Sequence, residues 1–277
     1  MRDLAFWSIG DGPYAAMLQT LVRSYREVGM EDDFHAFSDR DIDGAVTHRV
    51  RAFDKQHYLF KLRFLADEVA RLPYRHFVFL DADNYFVRRP RPLLPLLQKA
   101  PLHAFLESDC TEPRNTRSDW WGCPLPRFIE LMRSRGVTAR RVYNVNAGFW
   151  IVHRDAIETV CRLMLEFWEH ARAAGFFFTE EAPLAYAVHM LCADPERHLM
   201  RRHFDVWSCD WTGTFQDRVP DGRPWMFRDY FTNDEHRVDP AIVHAMRSKS
   251  VLTAAGWRLA ADRGLGGDRK RVGERRG

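Results

Sequence analysis

Two hydrophobic rhythms alternate along the first third of the chain. LAFWSIG (residues 4–10) is a short apolar run stopped by Gly10, Gly12 and Pro13, which predicts a strand and a turn. YAAMLQTLVRSYREVG follows, with Met17, Leu18, Leu21 and Tyr25 at helical spacing and Gly29 placed as a C-cap. DFHAFSD predicts a second strand, ending at Asp39. DKQHYLFKLRFLADEVARLP then sets Tyr58, Leu59, Leu62, Leu65, Ala66 and Val69 on one helical face and is closed by Pro73. RHFVFLDAD predicts the next strand. A β-α-β-α-β order implies an α/β fold with a parallel sheet and helices on its faces. Ligands of such sheets gather at the carboxyl ends of the strands. Gly10, Asp39, Asp81 and Asp83 all fall at such ends.

The middle of the chain is less regular. PRPLLPLLQKAP reads as a loop and a short helix, and LHAFLESD as a strand. NVNAGFWIVH predicts a strand entered through a small-residue turn at Ala147–Gly148. RDAIETVCRLMLEFWEHARA is the clearest helix, with Ile157, Val160, Cys161, Met164 and Trp168 as its apolar stripe. Asp155 and Glu158 have the spacing of a capping box at its start. EEAPLAYAVHML predicts a helix beginning near Glu180, with Pro183 in its first turn. Beyond Asp205 the chain is rich in aromatics and turn residues (DVWSCDW, PWMFRDYF). No repeat, linker or domain boundary precedes the tail, which predicts one domain over 1–260, with halves 1–110 and 111–260, and a disordered basic tail at 261–277.

Composition narrows the class. The longest apolar runs fall far short of the ~20 residues of a membrane span. The N-terminal apolar stretch is broken by Ser8, Gly10 and Asp11, too early for a signal-peptide core. Cys110, Cys123, Cys161, Cys192 and Cys209 are widely spaced with no C-x-x-C pair, so neither a zinc knuckle nor a disulfide framework is indicated. A cytoplasmic protein is the default. The formal charge is +3, but residues 263–277 hold six basic and two acidic side chains, a net of +4, so the remaining chain carries −1. A near-neutral body argues against a nucleic-acid partner. The tail itself reads as solvated, or as a weak tether to anionic lipid at the inner membrane surface.

The run FVFLDADNYF raises the chemical question. Asp81 and Asp83 stand two residues apart, a spacing that on a strand turns both carboxylates to one face. Such neighbours repel and raise each other's pKa unless a cation lies between them. A rigid pair of this kind suits a hard divalent cation that also holds phosphate oxygens. A bare D-x-D is also an ordinary solvated strand end; the preceding apolar strand and two βα units favour the cation site.

With these residues in view, the chain resembles the nucleotide-sugar glycosyltransferases of the GT-A fold, and more closely their retaining, galactosyltransferase- and glycogenin-like branch. Over residues 4–257, FVFLDAD stands where that family has its strand and D-x-D, and NVNAGFWIVHRDA resembles its N-x-G-type strand. TEEAPLAYA falls where an acidic D-Q pair opens a helix, and IVHAMRSKS resembles its late histidine and lysine. The departures are Glu180–Glu181 in place of Asp-Gln, and a segment after His244 that lacks the usual glycine, with Ser after Lys249.

The resemblance implies a Rossmann-like mixed, mainly parallel sheet flanked by helices, with an irregular aromatic-rich C-terminal part. It implies a metal-dependent transfer of a sugar from a nucleoside-diphosphate donor, UDP-linked by preference, to a glycan, lipid or small-molecule hydroxyl. Asp81, Asp83 and His244 would bind Mn²⁺ or Mg²⁺, a donor set suited to manganese at least as well as magnesium. Lys249 would add a point charge to the diphosphate. Ser8, Ile9, Gly10 and Ala82 would line the nucleotide pocket, with Tyr14 on the base and Asp39 on base or ribose; Tyr14 equally suits helix-start packing and Asp39 a turn cap. Lys61 would sit near the donor or be an exposed helical lysine. Asn144 and Asn146 would bond sugar hydroxyls and Gly148 would permit close backbone approach, although asparagines at such places also serve as turn residues. Glu180 and Glu181 would be the catalytic pair, as nucleophile or base, with helix capping open for one of them. Trp120, Trp121, Trp207, Trp211 and Trp225 are candidates for a stacking platform or for core.

Two other readings carry their own signals. Haloacid-dehalogenase-type phosphohydrolases also end a strand in D-x-D, but with Thr or Val two residues beyond the second Asp, where this chain has Tyr85. A catalytically silent nucleotide-sugar-binding protein would keep the pocket and lose the chemistry.

Overall fold

The structure, a computed structural model, describes residues 2–51, 59–93, 100–192, 195, 205–209 and 225–245. The chain begins with β1 (Arg2–Gly10), α1 (Pro13–Glu27), β2 (Asp33–Ser38) and β3 (Val46–Arg49), then α2 (Phe60–Asp67) and β4 (Tyr74–Leu80). β5 (Asn84–Phe86), β6 (Leu102–Asp109), the hairpin β7 (Asp119–Trp120) and β8 (Cys123–Pro124), and α3 (Leu125–Ser134) follow. Next come β9 (Tyr143–His153), α4 (Ile157–Ala173) and α5 (Glu181–Leu191). β10 (Trp207–Cys209), β11 (Trp225–Arg228), β12 (Glu235–Val238) and β13 (Ile242–His244) complete the described elements.

A six-stranded mixed sheet, ordered β3-β2-β1-β4-β9-β6, forms the centre. β1 pairs in parallel with β2 and β4, and β2 with β3; β9 runs antiparallel to both β4 and β6. The chain is thus mixed α/β with a mostly parallel sheet flanked by helices, as the segment order predicts. Strand alternation explains the two cores. Ala5, Trp7, Ile9, Phe77, Phe79, Ala104 and Leu106 point to the face covered by α2, α3, α4 and α5. Phe6, Phe34, Ala36, Val78, Leu80, Phe105 and Ile151 point to the other, covered by α1 and by a small sheet of β10, β13 and β5. Strands buried on both faces must be apolar throughout, which is why LAFWSIG and FVFL carry no polar alternation.

Several boundaries differ from the sequence reading. Among the described residues of the predicted helix over 54–73, α2 is followed by a 3₁₀ turn at Val69–Arg71; the residue before a proline avoids the helical region, and Leu72, before Pro73, is extended. β9 runs unbroken through Ala147–Gly148, and the expected turn is instead a bulge against β6, where the register jumps between the Ala104–Trp150 and Phe105–Asn146 pairs. The capping box does not form. A 3₁₀ turn at Arg154–Ala156 leads into α4, and the side chain that accepts there is His153, from the Asp155 amide. β3, β5, the β7–β8 hairpin and the short strands after Asp205 escape the periodicity, because elements of two to four residues give no readable period; α3, ten residues long, is a further element not singled out from the sequence. Lys249, Trp211, residues 94–99 and the tail lie outside the described residues, as does Tyr58. Among the described residues no helix is long and apolar enough to cross a membrane.

Candidate metal centre

The D-x-D pair lies just past the strand. β4 ends at Leu80, and residues 81–84 form a turn closed by the Asn84 amide on the Asp81 carbonyl at 3.0 Å. The carboxylates therefore meet through a turn and not through strand alternation, a correction to the sequence reading. Asn84 is its clamp: its side-chain nitrogen donates to the Asp81 and Gly148 carbonyls, both at 2.9 Å, and its oxygen accepts the Trp207 indole N–H at 2.7 Å. Trp207, fully buried, is a structural donor and no platform.

His244 reaches this turn from far along the sequence. β13 pairs antiparallel with β5, setting His244 opposite Asn84, and in parallel with β10, setting it beside Cys209. The Ala245 amide donates to the Asp83 carbonyl at 2.9 Å. His244 Nε2 then lies 2.9 Å from Asp83 Oδ1 and 3.9 Å from Asp81 Oδ2, while Nδ1 faces Cys209 Sγ at 3.9 Å. One donor atom each from Asp81, Asp83 and His244 falls within a 4.8 Å span, close enough for one cation to bridge them.

Gly148 is required here. A Cβ at that position would stand 2.5 Å from two ring atoms of His244, and its amide donates to Asn146 Oδ1 at 2.8 Å. Gly148→Ala is expected to push the imidazole off Asp83 and to cost about 1–3 kcal/mol by overpacking. Calorimetric titration with Mn²⁺ should show affinity weakened about 10–100-fold, as for other groups that orient a ligand.

Lys61 joins this group from α2 and is buried, against the exposed-lysine alternative. Its ammonium bridges Asp81 Oδ1 at 2.7 Å and Glu180 Oε1 at 2.5 Å. Burial works against its charge, but Asp81 and Glu180 prevail and raise its pKa. Burial likewise raises the Asp81 carboxyl, opposed by Lys61 and reinforced by Asp83. Asp81 thus divides its oxygens, one toward Lys61 and one toward His244.

The two glutamates at the start of α5 part company. Glu180 takes the lysine, whereas Glu181 accepts the Trp121 indole N–H at 2.8 Å. Burial, then Glu107 and Glu180, hold Glu181 well above the ordinary carboxylate range.

Glu107 is the residue that sequence reading missed. It sits in β6, buried, accepting from Asn144 Nδ2 at 2.9 Å and Asn146 Nδ2 at 3.1 Å. Asn144 also accepts the Ser108 amide, so both asparagines are fixed in orientation. The signal was present as a glutamate inside the apolar run LHAFLE. Burial pushes its pKa from 4.5 up to about 7, against the pull of the asparagine bonds and His244. The folded protein then holds more protons than the unfolded chain between those values. Stability should fall by roughly 3 kcal/mol as pH rises through that window, from the shift at ~1.4 kcal/mol per unit. In Glu107→Gln, denaturant midpoints measured from pH 4.5 to 8 should lose that slope.

The remaining predicted residues share the sheet edge one and two strands away. Ser8 and Ile9 are buried at the end of β1. Gly10 makes room for α1, since a Cβ would lie 2.7 Å from the Tyr14 carbonyl oxygen. Tyr14 is 39% exposed at the start of α1. Asp39 accepts the Gly12 amide at 3.1 Å, which with Arg40 holds its carboxyl below the ordinary value. Ala82 is buried between the two aspartates. Of the tryptophans, Trp120 is buried against Phe128, and Trp121 is half exposed.

Compared with protein-family models and with curated proteins, the chain matches none.

Proposed function

We propose that the protein is a divalent-metal-dependent transferase acting on a nucleoside diphosphate derivative. Within that class we read it as a glycosyltransferase of GT-A type, moving a sugar from a nucleotide donor, UDP-linked by preference, to a hydroxyl acceptor. The observation that carries this is the convergence of Asp81, Asp83 and His244 at the carboxyl edge of a mostly parallel sheet, where such sheets place their ligands. The donor set fits a cation. Two carboxylates and an imidazole suit Mn²⁺ or Mg²⁺, and among the described residues the carboxyls of Asp81, Asp83, Glu107, Glu180 and Glu181 crowd this region with the Lys61 ammonium beside Asp81 and Glu180.

When bound, the metal would neutralise diphosphate charge and stabilise a departing nucleotide. Asp81, Asp83 and His244 would hold it, and Lys61 would keep Asp81 ionised and oriented. Glu180, locked by Lys61, is a positioning group. Glu181, half-buried but tied to the half-exposed Trp121 indole and not to Lys61, is the better candidate to meet a substrate hydroxyl. Asn144 and Asn146, fixed by Glu107, would stiffen the strand on which Gly148 admits His244.

Thermal unfolding with UDP, GDP, ADP and CDP, each with and without Mn²⁺, tests the reading. A shift that needs both metal and one nucleotide supports it, and the absence of any metal-dependent nucleotide shift overturns it. Hydrolysis of the matching sugar nucleotide without acceptor then separates an enzyme from a silent pocket.

A further inference from the structure

Trp121 occupies a place that its side chain should avoid. The β7–β8 pairs Asp119–Pro124 and Trp120–Cys123 leave a two-residue loop of Trp121 and Gly122, with φ of 53° and 74°. Positive φ at both loop positions is the type I′ hairpin turn, which favours Asn-Gly or Asp-Gly because a side chain beyond Cβ crowds the backbone. A bulky residue there is an outlier, and strain of this kind gathers at ligand clamps.

What the strain achieves is visible in the contacts. The indole is 51% exposed, yet its N–H is tied to Glu181 Oε2 at 2.8 Å. One edge is fixed while much of the ring stays open to solvent. The hairpin is anchored from behind by Trp120, which packs on Phe128 and on Phe178. Phe177, next to Phe178, is 76% exposed, so a second aromatic stands out from the strand of chain that leads into Glu180. Ser118 and Asp119, exposed beside Trp121, add polar groups to the same rim.

We propose that Trp121 is the platform of an acceptor subsite for a pyranose ring, with the Glu181 carboxyl receiving a hydroxyl of the same sugar. The inference deepens the transferase reading and rests on it for the word acceptor, since it makes the acceptor a saccharide. A sugar presents an apolar C–H face and a polar edge, and this rim offers an open aromatic face beside a carboxyl. An acyl chain would need a continuous apolar track, which the exposed Ser118 and Asp119 and the half-buried Glu181 carboxyl interrupt.

The test uses the full chain with lactose, maltose, cellobiose and mannobiose, in saturation-transfer NMR with and without Mn²⁺ and UDP. At least one disaccharide should bind saturably, with transfer concentrated on ring C–H protons. Trp121→Asn, which suits the turn, should keep or raise the midpoint of thermal unfolding and weaken that disaccharide at least tenfold. Trp121→Phe should keep binding within about threefold of Trp121→Tyr and well above Trp121→Asn. Equal binding by Trp121→Asn overturns the proposal, and so does failure of all four disaccharides in the wild type. Disaccharide binding at Trp121 without any Mn²⁺–nucleotide shift leaves the subsite standing and removes the transferase reading. A Mn²⁺–nucleotide shift without saccharide binding does the reverse.

Discussion

Asp83→Ala should erase the Mn²⁺-dependent nucleotide shift and leave the sheet folded. In the proposed centre Asp83 would supply one of three donor atoms, and it holds His244 Nε2 at 2.9 Å. Removing it therefore subtracts a ligand and frees the imidazole that provides another. Metal affinity should drop by more than the 10–100-fold expected when only an orienting group is lost. The backbone bond from Ala245 to residue 83 survives the change, so β13 should stay docked. Loss of a buried partner for His244 should cost about 1–3 kcal/mol. Calorimetric Mn²⁺ titration and denaturant unfolding read the two effects separately; unchanged metal affinity would remove Asp83 from the site.

Lys61→Met should produce the largest loss of stability. The ammonium is the bridge between Asp81 and Glu180, and its own side chain is only 9% exposed. Methionine matches its length and leaves two carboxylates facing each other without a cation. Breaking a buried pair from one side costs about 3–5 kcal/mol. The deficit should shrink as pH falls, because the Asp81 carboxyl, raised by burial, can then take up a proton and the folded state gains from it. Mn²⁺ should stabilise Lys61→Met more than the wild type, since a metal on Asp81 replaces part of the missing charge. A variant equal to wild type at neutral pH would show that the bridge contributes nothing.

The two predictions share a cause that the sequence carried only in part. Strands with continuous apolar runs and helices with clear stripes were legible, because a sheet buried on both faces leaves an unmistakable signature. The aspartates were legible for the same reason: charge at the end of such a run stands out. Their closeness was misattributed, since strand alternation was invoked where a turn locked by Asn84 does the work. Glu107 was read as one letter of a strand. Its meaning lies in Asn144 and Asn146, which reach it only through pairing of β6 with β9. Trp121 was one of five candidate aromatics, and only the hairpin geometry separates it from its buried neighbour Trp120. In the sequence alone Lys61 suits a surface or a site role equally; its ion pairs with Asp81 and Glu180, contacts across the fold, decide for the site.

His244 and Asp83 are 161 residues apart in the chain and meet only through the small sheet of β5, β13 and β10. Closing a loop of that length costs on the order of 4–5 kcal/mol of chain entropy. The central sheet bears none of this, because its own pairs end at β9. A partial opening that lifts β13 away from β5 would thus dismantle the trio while the main sheet remained intact. During synthesis Lys61 and the aspartates emerge long before the histidine. Metal affinity at the proposed centre would consequently be a readout of how well β13 is seated against β5.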